Sequence, residues 1–180
     1  MAIQLYNTLT HRKEVLETIE PDHVKMYVCG VTVYDDCHLG HARAAIVFDV
    51  IRRHLEFRGK KVTFVCNFTD IDDKIIVRAN RRKIPTGELT EEFIQEYYND
   101  MDALGVRRAD VAPRATEHIP EMIEMIGRLE GKGIAYRAGA GDVYYDISKF
   151  EGYGKLSNRS TEDLESGYRI EPGEGKNNPL

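Results

Sequence analysis

The stretch Val28-Cys29-Gly30-Val31-Thr32-Val33-Tyr34-Asp35-Asp36-Cys37-His38-Leu39-Gly40-His41 decides the fold of this chain. It carries an apolar strand into a turn and then delivers two histidines and a glycine to the start of a helix. A helix N-terminus leaves backbone N–H groups unpaired and attracts anions, so this junction is typical of a nucleotide-phosphate site. A thiol, Cys29, lies beside it.

The residues around this stretch predict a strand, a helix and a second strand. Val24 to Val28 is a short β-favouring run, and the apolar run from Val62 to Phe68 suits a central parallel strand covered on both faces. Between them a helix is predicted from His41 onward, with Gly59 as its left-handed stop. Its predicted inner face is Ala44, Val47, Phe48, Ile51 and Leu55, and its predicted outer face is Arg43, Asp49, Arg52, Arg53 and Glu56. The fold class is therefore α/β.

Three more helices are predicted further along the chain. One is expected to begin at Thr69 or Asp70, either of which can cap it. The other two follow from apolar residues at helical spacing and end at Gly105 and Gly131.

The remaining segments predict hairpins and loops. Residues 3–20 predict an irregular or hairpin lead-in. Residues 134–136 and 143–147 flank a glycine-rich turn and predict an antiparallel hairpin. The stretch from Glu171 to Pro179 has the composition of a loop or a frayed tail.

Composition narrows the class of protein. The 180 residues are 42% hydrophobic, which is enough to bury a core. Three irregularly spaced cysteines, and no apolar run near the ~20 residues that span a bilayer, predict a cytoplasmic protein without membrane contact. A net charge of -5 argues against a protein that coats nucleic acid by bulk charge, so any RNA contact is expected to be local.

His38, Gly40 and His41 are candidates for phosphate binding. The spacing of the histidines lets both face one ligand, and Gly40 removes the Cβ that would keep a nucleotide from the backbone. Their donors could stabilise charge on an ATP α-phosphate when a carboxylate attacks it. The alternative is a pair of capping or surface histidines.

The cysteines have different expected roles. Cys29 lies at a strand end, on the side where open α/β sheets bind ligands, although a buried thiol is the commoner fate. Cys66 is expected to be such a buried residue. Cys29 and Cys37, with the neighbouring histidines, do not match zinc-knuckle spacing, so a self-contained zinc site is not expected.

Two charged clusters are assigned to helix ends. Asp70, Asp72 and Asp73 are interpreted as capping and dipole-complementing residues rather than substrate ligands. The basic residues near position 80 are interpreted as a solvated helix end rather than an RNA surface. These are Arg78, Arg81, Arg82 and Lys83.

Three strings together carry a family resemblance. They are Lys25-Met26-Tyr27-Val28-Cys29-Gly30, His38-Leu39-Gly40-His41 and Asn67-Phe68-Thr69-Asp70-Ile71-Asp72-Asp73-Lys74. The chain resembles the N-terminal part of cysteinyl-tRNA synthetases, with Leu39 in place of the usual isoleucine of the class I HIGH signature. The resemblance implies a Rossmann-like, HIGH-bearing first half of a class I catalytic domain over residues 1–112. It implies part of the connective insertion, with a β-hairpin and a frayed tail, over residues 113–180.

The resemblance also implies site roles. His38 and His41 would be catalytic, and Thr32, His38, Gly40 and His41 would bind ATP. Gly30, Thr32 and Thr69 would bind cysteine, and Cys29 would be one of four protein ligands to a zinc that grips the substrate thiolate. Partners would be cysteine, ATP and tRNA(Cys), with a completing C-terminal half.

Two alternatives stay open at this stage. No KMSKS-like string and only one zinc ligand are found, so the 180 residues alone are expected to be inactive. A non-catalytic module that binds a nucleotide, tRNA or a protein would keep the same fold. A ligase that joins cysteine to an amino sugar would share these motifs.

Overall fold

The computed structural model describes residues 2–139 and 141–158, which belong to two compact units. One unit is formed by residues 17–119, and the other combines residues before 17 with residues from 120 on. In chain order the regular elements are β1 (Gln4–Asn7), β2 (Arg12–Val15), β3 (His23–Val28), α1 (Leu39–Phe57), β4 (Lys61–Cys66), α2 (Asp73–Arg82), α3 (Thr86–Ala103), α4 (Ile119–Gly131), β5 (Ala135–Ala138) and β6 (Asp142–Tyr145). The predicted functional boundary at residue 112 remains a prediction.

The unit of residues 17–119 is built on the predicted strand-helix-strand motif. β3 and β4 pair in parallel, from His23 opposite Lys61 to Val28 opposite Cys66, and α1 connects them. Helix α1 ends as predicted, because Gly59 adopts a left-handed conformation with φ of 80° just after its C-cap. The α/β fold class is confirmed.

The predicted inner face of α1 is wrong in part. Asp49 and Arg52, assigned to the outer face, are buried, whereas Val47 is 48% exposed. Arg52 donates to Asp110 at 2.5 Å and to the carbonyl of Arg108 at 2.9 Å. Burial of this arginine is tolerated because its charge is paired, which apolar periodicity alone does not reveal.

Coverage of β4 is also lower than predicted. Phe64 is its one buried residue, while Lys61 is exposed and the others are half-buried. The segment after α3 adds single parallel bridges, of Val111 with Val65 inside β4 and of Arg114 with Phe68 just beyond it. Strand β4 is therefore only partly covered, although helix α1 packs against it.

Helix α2 begins later than predicted. Its N-cap is Asp72, whose carboxylate accepts a hydrogen bond from the backbone N–H of Lys74 at 2.9 Å. Asp70 is buried and is used elsewhere, as described below. Helix α3 ends at the predicted glycine, since Gly105 has a φ of 70°. The hydrophobic core of this unit joins α2 and α3 to the segment after β3 through Val33, Phe68, Ile75, Ala79, Leu89, Phe93 and Ile94.

The second unit contains two antiparallel hairpins and a helix. β1 pairs with β2, so the lead-in is the hairpin rather than the irregular segment. β5 pairs with β6 as predicted, and α4 covers the predicted helical segment up to Gly131. The predicted loop from Glu171 to Pro179 lies outside the described residues. Within residues 2–139 and 141–158, no helix is both long and apolar enough to cross a lipid bilayer.

Candidate functional site

A cavity of about 240 Å³ opens where β3 and β4 end and α1 begins. Cys29 and Gly30 line it from the strand side, and Gly40 and His41 line it from the helix side. This is the edge at which parallel sheets of α/β proteins bind their ligands. The structure thus brings the thiol and part of the histidine-glycine turn to one cavity. Thr32, His38 and Thr69 do not appear among the described residues that line it.

His38 and His41 form the N-terminal cap of α1. The Nδ1 atom of His38 accepts a hydrogen bond from the backbone N–H of Gly40 at 3.0 Å, and Nδ1 of His41 accepts one from the N–H of His38 at 3.3 Å. The two rings stack with centroids 3.9 Å apart. The capping role that the sequence left open is therefore present. Because both Nδ1 atoms accept, each neutral ring carries its proton on Nε2, which leaves two N–H donors for a ligand.

The electrostatics of His41 favour the neutral ring. Burial, and to a smaller extent the neighbouring His38, lowers the pKa of His41. At neutral pH His41 therefore acts as an uncharged hydrogen-bond donor at the positive end of the helix dipole.

The packing around Gly40 favours glycine for a reason that the sequence did not suggest. A Cβ at this position would lie 2.7 Å from Cε1 of His38, so a larger residue would push the capping ring aside. This contact is compatible with the predicted role of Gly40, which is to let a nucleotide approach the backbone, and that role stays a prediction.

The three cysteines lie in different environments. Cys29 is exposed, and Cys37 and Cys66 are half-buried. Cys66 was expected to be a buried residue, but it lines the same cavity as Cys29 because β4 is only partly covered. Burial raises the pKa of the Cys66 thiol, and burial together with Asp100 and Asp36 raises that of Cys37. Cys29 is thus the accessible thiol of the cavity.

Gly30, Thr32 and Thr69 lie on neighbouring backbone segments. Thr32 and Thr69 form a parallel bridge, in which the N–H of Thr69 donates to the carbonyl of Val31 at 3.0 Å. Asn67 links this bridge to Gly30, since its side chain contacts both Gly30 and Thr69. The sequence assigns Asn67 no role, and the available signal is its polar side chain within the apolar run from Val62 to Phe68.

An aromatic wall that sequence reasoning missed closes the cavity on the α3 side. Tyr97 and Tyr98 meet Phe68 edge to face, with ring centroids 5.5 Å apart in both pairs. Burial raises the pKa of Tyr97 to about 12, so its hydroxyl stays protonated. The guanidinium of Arg108 lies 4.2 Å from the Tyr98 ring centroid. The helical spacing of α3 predicted core residues here but could not show that they face a cavity.

Several residues of the two charged clusters form hydrogen bonds or ion pairs within the fold. Asp70 does not cap a helix, because its carboxylate accepts hydrogen bonds from the backbone N–H of Thr116 at 2.9 Å and from its hydroxyl at 2.5 Å. Asp72 is the cap of α2, as expected for this group. Arg78 pairs with Asp35, and Arg82 pairs with Glu92.

The metal-binding capacity of the described residues is limited. In the two described stretches, no group of three or more His, Cys, Asp or Glu side chains is arranged to hold a metal ion. Cys29 offers one thiolate, whereas a tetrahedral zinc site needs three or four protein ligands. These residues by themselves therefore do not fit a zinc ion.

Comparisons with known proteins agree with the geometry. The cysteine–tRNA ligases of Desulfotalea psychrophila and Syntrophobacter fumaroxidans are 56% and 57% identical to the chain over all 180 residues. The chain spans 37% and 36% of their lengths.

A solved structure shows the same fold. Mycobacterium tuberculosis methionyl-tRNA synthetase in complex with methionyl-adenylate matches 63% of this chain and 23% of its own, with a TM-score of 0.55 and 24% identity. A family model described as the catalytic domain of class I (C) tRNA synthetases matches residues 15–180. The chain therefore belongs to the class I (C) tRNA synthetases, of which it carries part of the catalytic domain.

Proposed function

We propose that this chain is the HIGH-bearing half of an enzyme that activates cysteine with ATP and transfers it to tRNA(Cys) in the cytoplasm. The observation that carries the proposal is the shared cavity, in which Cys29 and Gly30 face Gly40 and His41 at the N-terminus of α1. The relatives named cysteine–tRNA ligase, which are 51–57% identical, support this substrate choice.

The chemistry has two balanced steps. The carboxylate of cysteine attacks the α-phosphorus of ATP, and pyrophosphate leaves with the electrons of the broken P–O bond. A hydroxyl of the terminal ribose of tRNA then attacks the carbonyl carbon of the adenylate. The C–O bond to the phosphate breaks, AMP leaves with its electron pair, and the proton of the ribose hydroxyl passes to the phosphate of AMP. Negative charge builds on the α-phosphate in the first step, which is where fixed N–H donors act most strongly.

The residues of the chain have distinct proposed roles. The Nε2–H groups of His38 and His41 donate to the phosphates, since their Nδ1 atoms are used in the helix cap. Gly40 and Thr32 complete the ATP side. Gly30, Thr32 and Thr69 hold the cysteine substrate, with Cys29 beside its side chain. A zinc ion at Cys29 would need ligands beyond the described residues, so no step here depends on one.

ATP binding gives the first test. Titration of the protein with ATP should show binding that His41→Ala weakens, because the substitution removes both a donor and a capping acceptor. The matched control is His54→Ala, at the exposed far end of the same helix, which should leave the affinity for ATP unchanged. Equal affinity in the His41 and His54 variants would contradict the proposal.

Catalysis gives the second test. In a full-length form, His41→Ala should slow cysteine-dependent exchange of pyrophosphate into ATP by about 10²–10³-fold, because one donor to the transition state is lost. The KM for cysteine should change little. An exchange rate near that of the natural sequence would overturn the assignment.

A further inference from the structure

Two hydrogen-bond donors meet at the side chain of Asn67. The backbone N–H of Gly30 and the hydroxyl of Tyr27 each lie 2.9 Å from Oδ1 of Asn67. A backbone N–H can only donate, so the atom that it meets must be the amide oxygen. This fixes the orientation of the amide and turns Nδ2 toward Oγ1 of Thr69, 3.4 Å away.

The backbone of Asn67 also presses against Gly30. A Cβ at Gly30 would lie 1.7 Å from the carbonyl oxygen of Asn67. Asn67 therefore contacts Gly30 in two ways: its side chain accepts the Gly30 N–H, and its backbone lies so close that no side chain fits at Gly30. These contacts join the segments that follow β3 and β4, whose residues are 37 positions apart in the chain.

The histidine side of the cavity is held differently. Both capping hydrogen bonds are local, because His38 accepts from the backbone N–H of Gly40 in α1 and His41 accepts from the N–H of the N-cap residue His38. No hydrogen bond described for the residues of the structure links Asn67 to either histidine. The two sides of the cavity can therefore be perturbed separately.

We propose that Asn67 is a positioning residue for the amino-acid half of the site. It sets the backbone of Gly30 next to Cys29 and orients the hydroxyl of Thr69, and its side chain makes no described hydrogen bond to His38 or His41 on the ATP side. This inference rests on the proposed function, since it assigns Gly30 and Thr69 to the cysteine substrate. Its signature is a change in the KM for cysteine without a change in the KM for ATP.

The test uses Asn67→Ala and Asn67→Asp, with Tyr27→Phe as the matched control. Asn67→Ala removes the acceptor of the Gly30 N–H, and Asn67→Asp keeps an acceptor of the same shape. Tyr27→Phe removes only the hydroxyl that donates the second hydrogen bond to Asn67, and Tyr27 is 63% exposed. The KM values for cysteine and ATP are measured by pyrophosphate exchange in a full-length form, and hydrogen exchange at the Gly30 amide is measured in the same preparations.

We expect Asn67→Ala to raise the KM for cysteine about tenfold and to leave the KM for ATP within about twofold, as loss of the part-buried hydrogen bond to Gly30 predicts. Exchange at the Gly30 amide should become faster in Asn67→Ala and return toward the natural rate in Asn67→Asp. Tyr27→Phe should leave both KM values within about twofold, because the Gly30 bond remains.

The outcomes separate this inference from the proposed function. No cysteine-dependent exchange by the natural sequence would overturn the proposed function and this inference with it. Exchange that persists, with equal changes in both KM values or unchanged Gly30 amide exchange in Asn67→Ala, would overturn only the positioning role of Asn67.

Discussion

At the scale of single residues, Gly30 has no room for a side chain. A Cβ there would lie 1.7 Å from the Asn67 carbonyl oxygen, which belongs to the backbone and cannot rotate away. We expect Gly30→Ala to lower the free energy of unfolding in urea by about 3 kcal/mol, as for overpacked sites. Gly87→Ala is the control, because a Cβ at Gly87 in α3 meets nothing within 4 Å. It should be neutral or stabilise by up to about 1 kcal/mol, and equal effects of the two substitutions would contradict the packing at Gly30.

His41 makes stability depend on pH. Its pKa in the folded protein is lowered below 6.5 by burial and by His38, so the folded state binds this proton less tightly than the unfolded chain. The stability that the neutral ring contributes is complete above the unfolded value and is lost as pH falls through the lower folded pKa. Protonation of Nδ1 would also remove the acceptor of the His38 N–H.

Urea unfolding at about pH 7.5 and about pH 5 checks this prediction. The natural sequence should lose more stability between these pH values than His41→Asn, whose amide oxygen can accept the same hydrogen bond without titrating. Titrating groups that do not contact His41 contribute equally to both proteins and cancel in the comparison. The same loss in both proteins would show that His41 does not contribute.

At the scale of elements, Arg52 ties α1 to the segment after α3. It bonds to Asp110 and to the carbonyl of Arg108, and Asp110 in turn accepts from the backbone N–H of Phe64 at 2.7 Å. The same segment lines the cavity. We expect Arg52→Ala to lower the free energy of unfolding by about 2 kcal/mol, less than for a fully buried pair because the Asp110 side chain is 39% exposed.

The control for Arg52 is Arg43→Ala, an exposed arginine on the same helix. It should change the free energy of unfolding by less than about 0.5 kcal/mol. Urea denaturation of both variants measures the difference. If the two variants were equally stable, the contact between α1 and the segment after α3 would not be a stabilising one.

At the scale of the whole molecule, local patterns predicted much of the fold. The strand-helix-strand motif and the glycine ends of α1 and α3 follow from residues close together in sequence. The inner face of α1 is wrong in part, because Asp110, the partner that pairs with the buried Arg52, lies 58 positions away. Asp70 was misassigned for a similar reason, since Thr116 is 46 positions from it.

The candidate site likewise contains residues that local sequence predicts and residues whose role depends on partners far along the chain. Cys29, His38, Gly40 and His41 stand within one short stretch, which predicts that the thiol and both imidazoles share a cleft. Cys29, Gly40 and His41 do line the cavity, whereas His38 is not among the described residues that line it. The role of Asn67 could not be predicted, because its partners Gly30 and Tyr27 lie 37 and 40 positions earlier and meet it only when β3 and β4 pair. Assignment of these residues to ATP and cysteine stays a prediction.

The central claim is that Cys29 and the histidine-glycine turn face one ligand cavity, and cysteine alkylation tests it most directly. The protein is treated with iodoacetamide with and without saturating ATP, and each cysteine is quantified by peptide mass mapping. Cys29 should react fastest, because it is exposed while burial raises the pKa of Cys37 and Cys66. ATP should slow alkylation of Cys29 relative to Cys37, and His41→Ala should remove that protection. Equal rates of Cys29 alkylation with and without ATP would contradict the account.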